Sequence, residues 1–388
     1  MPRRMSDWFH LRDGFTCFLI DAERNADCLF GDEDRKLRDD LFQSLRECAY
    51  SERGQHGIIW SYAGRGKTHL AHHLVHLAKS SGDPDLGIEL IYVDCPPILS
   101  AKAPVSSFFT QLLKSIPAAT VKRFAQAYLA KAEKDPSLKT RVYKTLGTDG
   151  PIYQAIEEGL TVGIPKAIES RLNWLGGEVD NEVASNYGGP KQITSESQLA
   201  RNIGAIGEIL QIGEGKSLIF LVDEAERFQT ILSGERYAIW LSALRELFRK
   251  PPVGLMLFVI AQNRDDVPQI LWEQEISSVI GTNNIHELPP FAKQHAESFL
   301  RELLAGIIQR NPCPDSLAQL LKDAGESIDT YPFTADAFDE FVIHHTIGAA
   351  TAIPREIINT LERCARRAMT LDKKLVDQAV LQQVIHGI

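Results

Sequence analysis

The sequence has few cysteines and lacks the cysteine spacings that bind metal ions. Its six cysteines are scattered through 388 residues without a Cys-x-x-Cys pair. This pattern argues against a zinc site and a disulfide framework, and it is typical of free thiols in a reducing compartment.

Long apolar runs are also missing. No stretch approaches the roughly 20 apolar residues that cross a bilayer. The basic start Met1–Trp8 has no apolar run behind it, which argues against a signal peptide. We therefore expect a cytoplasmic protein with no membrane partner.

Positive charge is in short supply, with 42 Lys and Arg against 51 Asp and Glu and a net charge of −9. This balance argues against a protein that coats nucleic acid with its whole surface, but it allows a local basic patch. Hydrophobic content of 44% and charged content of 24% are ordinary for a globular protein. The length predicts two or three structural units.

The stretch His56–Leu70 predicts a short apolar strand, then a glycine-containing loop, then the first turn of a helix. Gly64 and Gly66 let backbone N–H groups turn toward phosphate oxygens. Lys67 supplies a cation for the β- and γ-phosphates, and the Thr68 hydroxyl is a usual Mg²⁺ ligand. The alternative is a chance Gly-Lys-Thr at a helix start. We predict that the loop binds a nucleoside triphosphate through Gly64, Arg65, Gly66, Lys67 and Thr68.

The helix after this loop, predicted from about Gly66 to Lys79, carries four histidines. His69, His72, His73 and His76 follow the i, i+3, i+4, i+7 spacing of one helix face. No carboxylate or thiol partner stands nearby, so a solvated polar face is favoured over a metal site.

Two carboxylates follow a second predicted strand. Five consecutive apolar residues, Leu218–Val222, predict a strand buried on both faces, and Asp223 and Glu224 come directly after it. Ligands of open parallel sheets bind at the carboxyl ends of the strands. Asp223 is therefore predicted to hold Mg²⁺ through water, and Glu224 to polarise the attacking water. Uncompensated carboxylates at such a position are costly, which disfavours a purely structural explanation.

The predicted strand Val253–Asn263 ends in the neutral amides Gln262 and Asn263. An amide beside the γ-phosphate can orient the attacking water, and Asn263 is the first candidate for this catalytic role. The alternative is a polar strand end that caps the following turn.

Pro354 and Arg355 open another predicted helix. Proline suits the first helical turn, which places Arg355 near the N-terminal end, where it could reach a bound triphosphate. The alternative is an ordinary surface arginine.

The helical stretch from about 108 to 213 begins with a locally basic segment. Between Lys114 and Lys144, eight Lys and Arg residues stand against only Glu133 and Asp135. This contrast predicts a surface for a nucleic-acid backbone, with a solvated helix face as the alternative. The candidate DNA contacts are Lys122, Arg123, Lys131, Lys134, Lys139 and Arg141.

Strands alternating with helices predict an α/β fold with a parallel sheet. From Phe291 onward the periodicity is helical, so a helical domain is predicted to follow Pro289–Pro290. The predicted organisation is an N-terminal extension (1–26), a nucleotide-binding core (27–290) with a largely helical insertion (about 108–213), and a helical domain (291–388).

Taken in order, these motifs resemble those of the AAA+ ATPases, in the group that includes origin-recognition and Cdc-type initiators. In that family the matching positions are Walker A (Gly64 to Thr68), Walker B (Asp223–Glu224), sensor 1 (Asn263) and sensor 2 (Arg355). The resemblance covers roughly residues 27–388. It implies a five-stranded parallel αβα core with an α-helical lid, ATP and Mg²⁺ as cofactors, and assembly into a homo-oligomeric ring or filament.

Two narrower likenesses concern the insertion and the overall build. One part of the chain is similar to ATP-binding proteins of BREX-type phage-defence systems. It begins with Trp174–Glu178, continues through a glycine-containing turn and a helix, and ends with Phe220–Glu226. Target-selecting transposition ATPases of the TnsC and MuB type are similar in overall build.

Three departures from the family pattern bear on activity. Ser61 replaces the first Walker glycine, and Ala352-Ile353 replaces the Gly-Asn that often precedes the lid Pro-Arg. Residues 265–290 contain no Arg or Lys, although many relatives carry a trans-acting arginine finger there. The remaining finger candidates are Arg264, Arg236, Arg245 and Arg249. Because a finger contributes about 10³–10⁵ in rate, hydrolysis by an isolated monomer should be slow.

The leading functional hypothesis is an ATP hydrolase that acts as an ATP-dependent oligomerising switch on double-stranded DNA or a DNA-bound partner. A phage-defence or mobile-element system would be its setting. The alternative is a signalling or scaffold ATPase that binds a protein encoded nearby and never touches nucleic acid. A clamp-loader or remodelling motor is a third hypothesis, which predicts strong turnover.

Overall fold

The computed structural model describes residues 4–49, 56–81, 86–97, 106–147, 150–162, 164–231, 234–249, 252–289, 291–346 and 353–387. The chain divides into two compact units. The first unit comprises Met1–Asp39, Tyr62–His73 and Leu288–Ile388, and the second comprises Asp40–Ser61 and Leu74–Glu287.

The second unit is built on a five-stranded sheet whose strands all run parallel. In the order β2-β3-β4-β1-β5, the pairing places Asp94 opposite Asp223 and Ser61 opposite Ile260. Every residue of β3 is buried, as its uninterrupted apolar run predicts for a central parallel strand. The strands are β1 (His56–Ser61), β2 (Ile88–Asp94), β3 (Ser217–Asp223), β4 (Val253–Ile260) and β5 (Ile285–Glu287).

Helices cover this sheet and fill the long connection between β2 and β3. That connection is the predicted helical insertion, and its apolar faces join the strands in one hydrophobic core. Its helices are α4 (Ser106–Lys114), α5 (Ala118–Ala132), α6 (Ser137–Thr145), α7 (Gly150–Glu157), α8 (Gly159–Val162), α9 (Pro165–Leu175), α10 (Asn181–Tyr187) and α11 (Glu196–Glu214). The helices after β3 are α12 (Gly234–Phe248) and α13 (Gln274–Ile280). Short 3₁₀ turns occupy Ala225–Thr230, Arg264–Asp266, Gln269–Trp272 and Thr282–Asn284.

The first unit has a separate, mostly helical core. Phe9 and Phe18, near the N-terminus, are fully buried in it with Tyr331. The backbone N–H of Phe18 donates to Glu362 at 2.8 Å, which ties the N-terminal segment to a C-terminal helix. The helices here are α1 (Met5–Trp8), α14 (Lys293–Ile307), α15 (Asp315–Ala324), α16 (Ala335–Thr346), α17 (Pro354–Thr370) and α18 (Gln378–His386).

Two helices contribute residues to both units, namely α2 (Asp32–Ala49) and α3 (Lys67–Ser80). Helix α3 begins one residue after the predicted start at Gly66. Within the described part of the chain, no helix has the length and apolar character needed to cross a membrane.

Candidate functional site

The loop between β1 and α3 has the backbone conformation that its glycines predict. Gly64 and Gly66 have φ angles of +81° and +107°, in a region that L-residues with side chains rarely adopt. Lys67 is the first residue of α3, and its Nζ donates to the carbonyl of Tyr62 at 3.1 Å across the loop. The first-turn N–H groups of an α-helix lack intrahelical partners, so this loop can bind an anion.

The side chain of Arg65 is held by a buried ion pair. Its two terminal nitrogens contact the two Asp34 oxygens at 2.9 and 2.8 Å, and its Nε donates to the Pro289 carbonyl. The guanidinium also lies 4.1 Å from the centroid of the Phe291 ring. Burial raises the pKa of Asp34, and the Arg65 charge opposes that rise. A nucleotide contact by Arg65 stays a prediction. The contact would be made by its backbone, because the side chain is already bound to Asp34 and Pro289.

Sequence reasoning missed the role of Asp34. The available signal was the run of three acids, Asp32, Glu33 and Asp34, in the first turn of α2. A helix start favours negative charge, which explains one or two acids there without a buried partner.

The structure places Arg355 beside the glycine loop. Helix α17 begins at Pro354 as predicted, Arg355 is its second residue, and the Arg355 N–H donates to the Gly64 carbonyl at 3.2 Å. A Cβ atom on Gly64 would lie 2.9 Å from the Cβ of Arg355, so Gly64 is also required for this close approach. The Arg355 side chain is exposed. Ala352, one of the two residues that depart from the family pattern here, lies outside the described residues.

The expectation of a solvated histidine face on α3 is wrong for two of the four histidines. His73 is buried and its Nδ1 lies 2.7 Å from the Ala26 carbonyl, while His69 Nε2 contacts the Cys28 carbonyl. Burial lowers the pKa of His69. These rings anchor the segment before α2, which sequence spacing alone does not reveal. The described residues include no group of three or more His, Cys, Asp or Glu suited to a metal ion.

In the second unit, Asp223 ends β3 with both carboxylate oxygens engaged. The Tyr92 hydroxyl donates to Oδ2 at 3.2 Å, and the Glu224 N–H donates to Oδ1 at 2.9 Å. Burial raises the pKa of Tyr92, so its hydroxyl remains a donor. Asp94 ends the neighbouring strand in register with Asp223. Carboxylate oxygens at this edge are the hard ligands that Mg²⁺ prefers.

Glu224 occupies an unusual backbone position. Its φ of +56° is left-handed, which is uncommon for a residue other than glycine and is found at functional sites. Its carboxylate forms an ion pair with Arg227, whose other terminal nitrogen lies 3.3 Å from Asp94. Sequence reasoning missed Tyr92, Asp94 and Arg227. The available signal for Asp94 was the apolar run Leu90–Val93 that precedes it.

Asn263 has the capping geometry that was the alternative to a catalytic role. Its side chain accepts from the N–H groups of Asp265 at 2.9 Å and Asp266 at 3.2 Å. The Asp266 carboxylate accepts in return from the Asn263 N–H at 3.2 Å. This capping box holds the turn after β4. The water-orienting role of Asn263 stays a prediction.

The four arginine-finger candidates have different surroundings. Arg236 and Arg245 are half-buried on α12, and Arg249 is exposed just after that helix ends. Arg264 is exposed, with its guanidinium 4.8 Å from the centroid of the Trp272 ring.

Half of the candidate DNA contacts are neutralised within the second unit. Arg123 lies 2.6 Å from Glu214 and 3.1 Å from Glu89, Lys139 pairs with Glu157, and Arg141 pairs with Glu208. The sequence analysis set the basic residues of this segment against Glu133 and Asp135 alone. That count was wrong as a measure of the local charge, because β2, α7 and α11 supply further acids that pair with the basic residues. Among the described residues, Lys122, Lys131 and Lys134 form no ion pair.

Known structures with a similar fold share little sequence with this chain. The Aeropyrum pernix ORC2 protein in its ADP form matches with a TM-score of 0.50 and 13% identity, over 98% of this chain and 72% of that chain. Its ADPNP-ADP complexes give 0.49 and 13%, over 94% and 71%. The Aeropyrum pernix ORC1 protein in complex with DNA gives 0.49 and 12%, over 95% and 68%. No protein-family model and no curated protein matches the sequence.

The structure confirms the predicted fold class, an α/β core with a parallel five-stranded sheet and a helical C-terminal region, and the ADP form of the Aeropyrum pernix ORC2 protein has a similar fold. At this identity the likeness concerns the fold alone.

Proposed function

We propose that this chain is an AAA+ type ATP hydrolase that acts as an ATP-dependent oligomerising switch on DNA or a DNA-bound partner. The observation that carries the proposal is the β1–α3 loop, in which two glycines with positive φ precede Lys67 and Thr68. Asp223 at the end of β3, Glu224 directly after it, and the likeness to the fold of the Aeropyrum pernix ORC2 protein in its ADP form support it. The phage-defence setting rests on the likeness of Trp174–Glu178 and Phe220–Glu226 to BREX-type ATP-binding proteins. The mobile-element setting rests on the similar overall build of transposition ATPases of the TnsC and MuB type.

The residues fit ATP and Mg²⁺ in their chemistry. The loop N–H groups and Lys67 would bind the phosphates, and oxygen ligands for Mg²⁺ would come from Thr68 and Asp223. When bound, Mg²⁺ would neutralise charge on the phosphates. Glu224 would take up a proton from the attacking water after leaving Arg227, and Asn263 would orient that water.

Substitutions in the loop and after β3 test the ATPase assignment. We expect Lys67→Ala to abolish ATP binding, measured by fluorescence with a labelled ATP analogue. We expect Glu224→Gln to bind ATP with unchanged affinity and to lose phosphate release. Lys79→Ala, an exposed lysine later in the same helix, is the matched control. Normal hydrolysis by Glu224→Gln would show that another group polarises the water.

If the protein binds DNA as proposed, the contacts should include the lysines that form no ion pair in the described part of the chain, Lys122, Lys131 and Lys134. We expect duplex binding by fluorescence anisotropy to require ATP, to weaken with salt, and to weaken further in the Lys131→Glu/Lys134→Glu variant. The Lys36→Glu/Lys322→Glu variant makes the same change in net charge at exposed positions elsewhere. Absence of duplex binding in every nucleotide state would rule out a DNA switch.

A signalling or scaffold ATPase that binds a protein partner is the second candidate. The ion pairs of Arg123, Lys139 and Arg141 favour it, because they remove half of the expected backbone-binding charge. This candidate predicts ATP binding and stable co-purification with a protein encoded nearby, without any response to DNA.

A further inference from the structure

A cleft of about 740 Å³ opens within the helical insertion of the second unit. Its walls are α6, the turn that follows it, α11 and the residue after α12. A volume of this size suits a small ligand or one segment of a larger one. The described lining residues are Ser137, Thr140, Arg141, Lys144, Thr145, Gly147, Arg201, Glu208 and Arg249.

The lining carries a large excess of positive charge. Its carboxylate is Glu208, which is 5% exposed and is already paired with Arg141. Lys144, Arg201 and Arg249 form no ion pair with a described residue. Three cations that share a cleft repel one another, and an anion bound among them would relieve that repulsion.

The turn after α6 has a backbone conformation that makes room for Arg201. Gly147 has a φ of +75°, and a Cβ atom there would lie 2.3 Å from an Arg201 terminal nitrogen. The Gln198 amide donates to the Leu146 carbonyl at 3.2 Å, which ties the same turn to α11. The guanidinium is therefore packed against a backbone that only glycine allows, rather than extended freely into solvent.

The side chains of this cleft select for oxyanions. None of the described lining residues has an aromatic or aliphatic side chain, and four of them are Lys or Arg. Guanidinium groups present paired N–H donors that match phosphate oxygens, and the Thr140 hydroxyl adds a neutral polar group.

We propose that this cleft is a second anion site, distinct from the β1–α3 loop, that binds clustered phosphate groups. The phosphates could come from a nucleic-acid backbone or from a free oligophosphate, since the chemistry of recognition is the same. The site goes beyond the proposed ATPase and does not depend on it, because none of its lining residues belongs to the β1–α3 loop.

Calorimetric titration of tripolyphosphate into the full chain tests the proposal. The Lys67→Ala background removes the β1–α3 loop as a competing site. We expect binding in this background and a loss of affinity of about tenfold or more in Lys144→Glu/Arg249→Glu, as expected when charge-assisted contacts are reversed. Arg201→Gln should also weaken binding. Lys36→Glu/Lys322→Glu makes the same net-charge change at exposed positions outside the cleft and should bind normally.

Duplex DNA added as a competitor identifies the source of the phosphates. Displacement of tripolyphosphate by DNA would assign the cleft to a nucleic-acid backbone, and lack of displacement would assign it to a small ligand. Equal weakening by both double variants would show general electrostatics and overturn the proposal, as would absence of binding in the Lys67→Ala background. ATP binding to the Lys144→Glu/Arg249→Glu variant with Lys67 intact reports separately on the proposed ATPase.

Discussion

At the residue scale, Arg65 and Asp34 form a buried ion pair in the first unit. Both side chains are buried, so removing one partner leaves a charge without compensation. We expect Arg65→Met to lower the free energy of unfolding by about 3–5 kcal/mol. The Arg65→Met/Asp34→Leu double variant should recover most of that loss, because neither charge remains. Urea denaturation of the two variants and the parent measures both effects, and an additive double variant would contradict the prediction.

His56, at the start of β1, makes stability depend on pH. The ring is buried against Phe248, with ring centroids 4.5 Å apart, and burial lowers its pKa from 6.5 to about 4. The unfolded chain therefore binds the proton more tightly. The resulting loss of stability is absent above pH 6.5, grows as the pH falls toward 4, and is constant below that.

We expect His56→Gln to remove this contribution, which amounts to about 2 kcal/mol at pH 5. The measurement is the difference in free energy of unfolding between pH 7.5 and pH 5 for the parent and the variant. An identical pH dependence in both chains would mean that the pKa of His56 is the same in the folded and unfolded states.

At the residue scale, the sequence predicts side chains whose role follows from chain position. Gly64, Gly66 and the start of α17 at Pro354 were predictable because a loop between strand and helix and a first helical turn have local rules. The partners of Arg65 and Asp223 were not predictable, since Asp34 and the Tyr92 hydroxyl come from distant segments. No local spacing encodes which acid or hydroxyl will fold against a given side chain.

At the scale of elements, α11 and α5 pack closely at a glycine. A Cβ atom on Gly213 would lie 2.5 Å from the Phe124 carbonyl and 3.0 Å from the Tyr128 nitrogen, both backbone atoms that cannot rotate away. We expect Gly213→Ala to destabilise the protein by about 1–3 kcal/mol, although alanine favours helix more than glycine does.

Gly150→Ala is the control for that substitution, because nothing lies within 4 Å of a Cβ atom at Gly150. Its effect should be less than about 1 kcal/mol and favourable. Thermal unfolding of both variants measures the difference. Equal stability of Gly213→Ala and the parent would mean that the two helices can separate at this point without loss.

The positions of strands and helices were easier to predict than the side chains that pack against them from other elements. The buried strands β3 and β4 and the helix after the glycine loop follow directly from apolar runs and periodicity. The charge of the 114–144 segment did not follow, because Glu89, Glu157, Glu208 and Glu214 approach it only after folding. A count of charges along one segment omits acids that neighbouring elements supply.

At the scale of the whole molecule, the proposed oligomer predicts that subunits complement one another. Arg264 is the candidate finger that is exposed on a short turn after β4. We expect Arg264→Ala and Lys67→Ala chains each to lack ATP turnover, and their mixture to recover part of it, because one supplies the loop and the other the arginine.

Phosphate release at increasing total protein concentration measures this complementation. The exposed Arg24→Ala is the control and should behave as the parent does. If the mixture stays inactive while the parent is active, Arg264 does not act on a neighbouring subunit.

The order of elements along the chain was enough to predict an α/β core followed by helices. The contribution of the N-terminal segment to the first unit was not, because Phe9 and Phe18 show no periodic pattern that would indicate a buried position. Their burial depends on side chains more than 300 residues away, such as Glu362, whose contact with Phe18 spans 344 positions.

The hydrogen bond from the Arg355 N–H to the Gly64 carbonyl should survive most substitutions at position 355. Both atoms belong to the backbone, so nineteen of the twenty amino acids at position 355 would preserve the link, and only proline would remove its donor. Arg355→Ala would thus separate the loss of a positive charge from the loss of the mechanical connection. Helix α17 has 17 residues and is about 25 Å long. A small displacement of the glycine loop would therefore move the whole helix through this hydrogen bond, whatever side chain follows Pro354.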